Sequence, residues 1–134
     1  MQDLFSIKGK TALVTGGSRG IGEMIAGGFL ASAAKVYISS RKVEACDAAA
    51  ERLMKTFGGE CISVPGNVAE LDGISTLVET LSEREDKLDI LVNNAGVGWG
   101  APLEEFPEIG WDKVMDTNGK GVFFLIQQFF PLLK

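Results

Sequence analysis

An apolar run, Thr-Ala-Leu-Val, leads directly into Thr15-Gly16-Gly17-Ser18-Arg19-Gly20-Ile21-Gly22, and this junction constrains the fold more than any other stretch of the chain. Glycine weakens strands and helices alike, so glycines concentrated at one junction serve the backbone there. The residues before it, 11–15, read as a short strand. Those after it, 20–33, read as a helix with Ile21, Ile25, Phe29 and Leu30 on one face.

The rest of the chain repeats this alternation. Residues 35–39 read as a second strand, and residues 43–57 as a helix carrying Val43, Cys46, Ala50, Leu53, Met54 and Phe57 at helical spacing. Gly58-Gly59 stops that helix. Cys-Ile-Ser-Val, residues 61–64, makes a third strand. Residues 70–84 place Leu71, Ile74, Leu77, Val78 and Leu81 on one helical face. Residues 88–93 make a fourth strand, continuous rather than alternating in its apolar residues, as parallel strands tend to be. After a loop rich in Gly and Pro, a long helix begins near Glu108 or Gly110 and runs toward the end. There is no internal repeat, low-complexity segment or linker. Strict alternation predicts an α/β fold with right-handed crossovers. The expected architecture is a Rossmann-type doubly wound parallel sheet of order 3-2-1-4, truncated after the fourth strand and the helix that follows it.

In such a sheet the first strand-to-helix turn faces the ligand crevice, and a helix N-terminus offers free N–H groups and partial positive charge to a pyrophosphate. Gly16 would allow the tight turn, Gly20 close approach of the phosphates, and Gly22 close packing of the helix on the strand. The alternative is a tight turn with no ligand. The residues also point to which dinucleotide would bind. A carboxylate about 20 residues past the turn usually takes the ribose hydroxyls of NAD. Here no Asp or Glu lies between Glu23 and Glu44, and the second strand ends in Ser39-Ser40-Arg41. Arg19 and Arg41, with the Ser39 and Ser40 hydroxyls, suit the extra 2′-phosphate of NADP. The competing reading is two solvated surface arginines.

Composition removes other classes. The chain of 134 residues is about one domain and carries a net charge of −5 without blocks of like charge, which argues against nucleic acid or an anionic membrane as partner. The apolar run Val-Phe-Phe-Leu-Ile falls far short of the ~20 residues of a membrane span. The N-terminus has no secretory apolar region. With no histidine, Ser-His and Cys-His catalysis and most zinc sites are excluded. Cys46 and Cys61 lack metal-type spacing and read as buried thiols, which fits a reducing cytoplasm.

The glycine-rich turn, together with Asn93-Asn94-Ala95-Gly96 closing the fourth strand, resembles the short-chain dehydrogenase/reductase family. Trp-Asp-Lys-Val-Met-Asp-Thr-Asn-Gly-Lys-Gly-Val-Phe, residues 111–123, resembles the family helix that carries a catalytic asparagine. A narrower resemblance, in residues 22–26, 43–53, 88–115 and 126–133, is to the 3-oxoacyl-acyl-carrier-protein reductases associated with rhamnolipid synthesis, an NADP-dependent branch. The resemblance implies that Gly16, Ser18, Arg19, Gly20 and Ile21 hold the phosphates and adenosine ribose, and that Arg41 faces the 2′-phosphate. It further implies that Asn67 and Val68 flank the adenine and that Asn94, Ala95 and Gly96 line the nicotinamide ribose. Asn118 would position a water in the proton relay; from the residues alone it reads equally as a helix kink or cap.

Two positions depart from the pattern. Asn67 stands where the family usually has Asp, and an amide can still meet the adenine edge. Gly119 stands where a larger apolar residue is common, and with Gly121 it would loosen the helix by about 1 kcal/mol each. Family catalysis uses a serine and a Tyr-x-x-x-Lys pair, and the tyrosine acts as general acid. The one tyrosine, Tyr37, is followed at that offset by Arg41 and lies on a strand, so it reads as a packing residue. These residues therefore resemble the N-terminal half of an NADPH-dependent 3-oxoacyl-thioester reductase with a small-molecule or carrier-bound acyl substrate, without turnover by itself. The alternatives are a non-catalytic dinucleotide-binding module and an inactive fragment persisting by self-association. Trp99 would touch substrate or pack. The last helix is apolar nearly all round, which reads as burial on every side. In the family it packs against its copy in another subunit, so a homo-oligomer is expected.

Overall fold

The structure, a computed structural model, describes residues 3–134. Its elements in chain order are β1 (Thr11–Thr15), α1 (Gly20–Ala31), β2 (Lys35–Ser39), α2 (Val43–Phe57), β3 (Cys61–Ser63), α3 (Leu71–Arg84), β4 (Ile90–Val92), α4 (Glu108–Met115) and α5 (Gly121–Leu133). The strands are all parallel, in the order β3-β2-β1-β4, as the alternation predicts.

Period-2 alternation in the strands divides the core in two. Val14, Val36 and Ile38 point to the side covered by α1 and α2, where Ala26, Leu30, Cys46, Ala49 and Leu53 meet them. Leu13 and Tyr37 point to the opposite side, against Ile74, Leu77 and Leu81 of α3 and Leu125 and Phe129 of α5. Both strand faces are buried, which accounts for their continuous apolar sequence.

Several expectations need correction. The first helix ends at Ala31 rather than residue 33, because Ala33 takes a left-handed φ of 66°. There Ala33 N–H donates to Leu30 O and Ala34 N–H to Phe29 O, a Schellman closure with alanine where glycine is usual. The face buried by α1 is Gly22, Ala26, Gly27 and Leu30, while Ile21 is 69% exposed. Small residues face inward because α1 approaches closely: a Cβ on Gly27 would lie 2.7 Å from the Phe57 ring. In α2 the buried positions include Ala49, and Val43 lies exposed. The third and fourth strands are shorter than expected, although Val64 N–H still bonds Ile38 O at 2.9 Å. The last helix is not continuous. A wide π-type turn, Asp116–Lys120, separates α4 from α5. Nor is α5 buried on every side: Leu125 and Phe129 are buried, whereas Phe123 and Phe130 are 61% and 57% exposed. Among the described residues no helix is long and apolar enough to cross a membrane.

Candidate functional site

The loops leaving the C-terminal ends of the four strands surround a cleft of about 510 Å³, within the usual range of ~300–1,000 Å³ for ligand sites. Gly16, Ser18, Arg19 and Gly20 form its floor between β1 and α1. Gly16 and Gly20 have φ of 65° and 58°, the left-handed region that glycine enters without penalty. A Cβ on Gly20 would meet nothing within 4 Å, so this peptide borders open space. Gly22 does not line the cleft; a Cβ there would collide with the Gly16 carbonyl and the Asn94 amide. Ile21 also lies outside it.

A second wall comes from the end of β2, where Ser39, Ser40, Arg41 and Lys42 line the cleft. The Ser39 and Ser40 hydroxyls are buried and lack a partner among the described residues, which is unusual for buried polar atoms. Two serines, two arginines and a lysine thus line one cleft, and no carboxylate lines it among the described residues. Asn67 and Val68, after β3, close the far end. The Asn67 Oδ1 accepts from the Ala69 N–H at 3.0 Å, which fixes the amide's orientation.

The third wall is the loop after β4, with Asn94, Ala95, Gly96 and Val97. The buried Thr15 hydroxyl anchors it: Oγ1 donates to Val92 O at 3.2 Å and accepts from the N–H groups of Asn94 (3.1 Å) and Ala95 (3.0 Å). The Asn94 amide donates to Gly16 O at 3.2 Å, joining the two loops. The side chain of Asn118, in the π-type turn, clamps the same loop. Its Oδ1 accepts from the Val97 N–H at 3.0 Å, and its Nδ2 donates to Val97 O at 2.8 Å. Thr117, beside it, borders the cleft.

Sequence reasoning missed Thr15, Gly17, Lys42, Ala45, Gly66, Val97 and Thr117. Most adjoin residues it did name. Gly17 carried no local signal, since what a Cβ there would strike is Ile38 on the neighbouring strand, 2.7 Å away. Two side chains fall outside the chemistry. Tyr37 is buried in the α3-α5 side of the core, its hydroxyl on Glu85. The Cys61 thiol is pushed up to about 12 by burial, with Cys46 adding to the shift, so it is no nucleophile. Trp99 covers Gly110, where a Cβ would lie 2.8 Å from its ring, with the Lys113 ammonium 5.8 Å from the ring centroid.

Comparison with known proteins decides the family: the short chain dehydrogenase model matches residues 10–134. The chain belongs to the short chain dehydrogenase family. Within this family it is 49% identical, over its full length, to the rhamnolipids biosynthesis 3-oxoacyl-[acyl-carrier-protein] reductase of Pseudomonas aeruginosa, of which it covers 52%. The solved Pseudomonas aeruginosa RhlG/NADP active-site complex superposes with a TM-score of 0.91 at 49% identity, over 98% of this chain and 51% of that one. L-sorbose reductase from Gluconobacter frateurii, solved with NADPH and L-sorbose, superposes with a TM-score of 0.89 at 32% identity, over 94% and 48%. The chain spans about half the length of the relatives it matches.

Proposed function

We propose that the chain forms the NADP-binding part of a short-chain reductase that converts a 3-oxoacyl thioester to its hydroxyacyl form. The observation that carries this reading is the cleft wall at the end of β2. Arg41, Ser39 and Ser40 line it, Arg19 lines the same cleft, and no carboxylate does among the described residues. That donor set fits a 2′-phosphate, and it lacks the acceptor that would hold a free ribose diol. The open peptide at Gly20 and the N-terminus of α1 suit the pyrophosphate. Asn67 and Val68 would take the adenine, and Asn94, Ala95 and Gly96 the second ribose. NADPH, when bound, supplies the hydride. The acyl-thioester substrate is taken from the name of the 49% identical relative, and fatty acid metabolism follows from it.

Asn118 holds Val97 with one acceptor and one donor of its amide, and the second acceptor and second donor remain for a relay water. The 134 residues hold no Tyr-x-x-x-Lys pair. We therefore assign this chain cofactor binding without turnover. The exposed Phe123, Ile126 and Phe130 face of α5 would meet a second copy. The two free thiols are consistent with a cytoplasmic location. Fluorescence titration with NADPH and NADH tests the reading. Saturable binding that prefers NADPH is expected, and no binding of either nucleotide would refute it.

A further inference from the structure

The first turn of α1 contains a carboxylate, Glu23, close behind the loop proposed to take a pyrophosphate. Its N–H bonds the Arg19 carbonyl at 3.3 Å, so it stands one turn from the cleft floor. A negative charge there favours the helix itself but opposes an anion at the same terminus. Across from it, on α2, stands Arg52. Its Nε donates to Glu23 Oε2 at 3.1 Å and its Nη2 to Oε1 at 2.7 Å, a bidentate fork. The same Nη2 donates to the Ser18 carbonyl at 3.4 Å, and Ser18 lines the cleft. One guanidinium thus joins α2 to the first turn of α1 and to the glycine-rich loop. Arg52 itself lies outside the cleft lining.

We propose that Arg52 is a positioning residue for dinucleotide binding, neutralising Glu23 and holding the Ser18 carbonyl so that the glycine-rich loop presents its N–H groups to the pyrophosphate. The inference rests on the NADP reading above. It differs from the role of Arg41 in one measurable way. The pyrophosphate is common to NADP and NAD, so Arg52 governs affinity for both, whereas Arg41 governs the choice between them. Arginine is required rather than lysine, because only a planar fork reaches both carboxylate oxygens and the carbonyl together.

The test is a cycle of Arg52→Gln, Glu23→Gln and the double variant in the full 134-residue chain, titrated with NADPH and NADH, with melting temperatures alongside. Arg52→Gln is expected to weaken both nucleotides by the same factor, about two- to fivefold at low ionic strength, with a smaller loss at ~0.5 M salt. Removing the now unpaired carboxylate in the double variant restores most of the affinity. Unchanged affinity in Arg52→Gln overturns the proposal. So does a loss that Glu23→Gln fails to rescue, that ignores salt, or that follows the melting temperature alone. Amide hydrogen exchange over residues 16–23, measured without nucleotide, separates this from failure of the NADP reading. If wild type binds neither nucleotide yet exchange in Arg52→Gln is faster, the NADP reading falls and the loop anchor stands. Unchanged exchange overturns the anchor.

Discussion

The Thr15 hydroxyl shows how much one side chain can organise. A hydroxyl has one donor and two acceptor sites, and Thr15 uses all three, on Val92, Asn94 and Ala95. Thr15→Val keeps the shape but leaves the half-buried Ala95 N–H without its acceptor, while the Asn94 N–H keeps its bond to Val92 O. Its expected cost is about 0.5–1.5 kcal/mol in urea unfolding, with weaker NADPH binding from a loosened Asn94 loop. Thr15→Ser, which keeps the hydroxyl, should fall much closer to wild type in both assays. At Gly22 the obstacle is backbone, since a Cβ would overlap the Gly16 carbonyl. Gly22→Ala should therefore disturb the glycine-rich turn itself, read as lost nucleotide affinity. The sequence made Gly22 legible because its spacing from Gly16 and Gly20 is local. Thr15 and Gly17 were not legible in the same way, because their partners, Asn94 and Ile38, are brought close only by strand pairing.

At the scale of elements, the end of α1 carries strain that can be removed. Ala33 holds the left-handed position of a Schellman closure, a conformation costing an L-residue about 1–2 kcal/mol. Ala33→Gly should stabilise the chain by about 0.5–1 kcal/mol after glycine's own entropy is counted, seen as a raised melting temperature. The link between β2 and α3 sets a pH dependence. Glu85 accepts from the Tyr37 hydroxyl at 2.5 Å and pairs with the Lys35 ammonium at 2.5 Å. Burial pushes the Tyr37 pKa up to about 12, reinforced by the Glu85 carboxylate, and Lys35 is also raised, chiefly by its hydrogen bond to Glu85. Groups whose folded pKa is raised stabilise below their unfolded values and lose that contribution as pH climbs. Stability should hold to about pH 10 and fall toward pH 12, and Tyr37→Phe should remove part of that alkaline loss. Burial works against the Glu85 charge, but hydrogen bonds from Lys35 and Tyr37 hold its pKa below the ordinary carboxylate value. Its contribution is therefore present at neutral pH and disappears on acidification through that lowered pKa.

At the scale of the molecule, nucleotide choice and association are the properties to measure. Arg41→Ala should reduce NADPH affinity about 10- to 100-fold, the value of a charged hydrogen-bonded contact, while NADH binding changes little. Equal losses for both nucleotides would place Arg41 outside the 2′-phosphate site. The exposed apolar face of α5 should drive self-association, seen as mass above the 14.3 kDa monomer in light scattering. Phe123→Glu with Phe130→Glu should shift the chain toward monomer.

The sequence by itself determined the alternation of strands and helices, the parallel order 3-2-1-4, the glycine-rich turn and the family. The alternation and the turn rest on periodicity and on spacing within a few residues, the strand order on the rules of doubly wound sheets, and the family on the resemblance of motifs at residues 15–22, 93–96 and 111–123. Tertiary structure alone decided the inward face of α1, where close approach selects Gly22, Ala26 and Gly27 over Ile21. It also decided the break between α4 and α5 and the exposed side of α5. The Asn118 clamp on Val97 and the Arg52 bridge from α2 to the glycine-rich loop belong with these. Those contacts join residues 21 to 34 positions apart, and a polar side chain acquires such a partner only when packing has fixed where both elements lie.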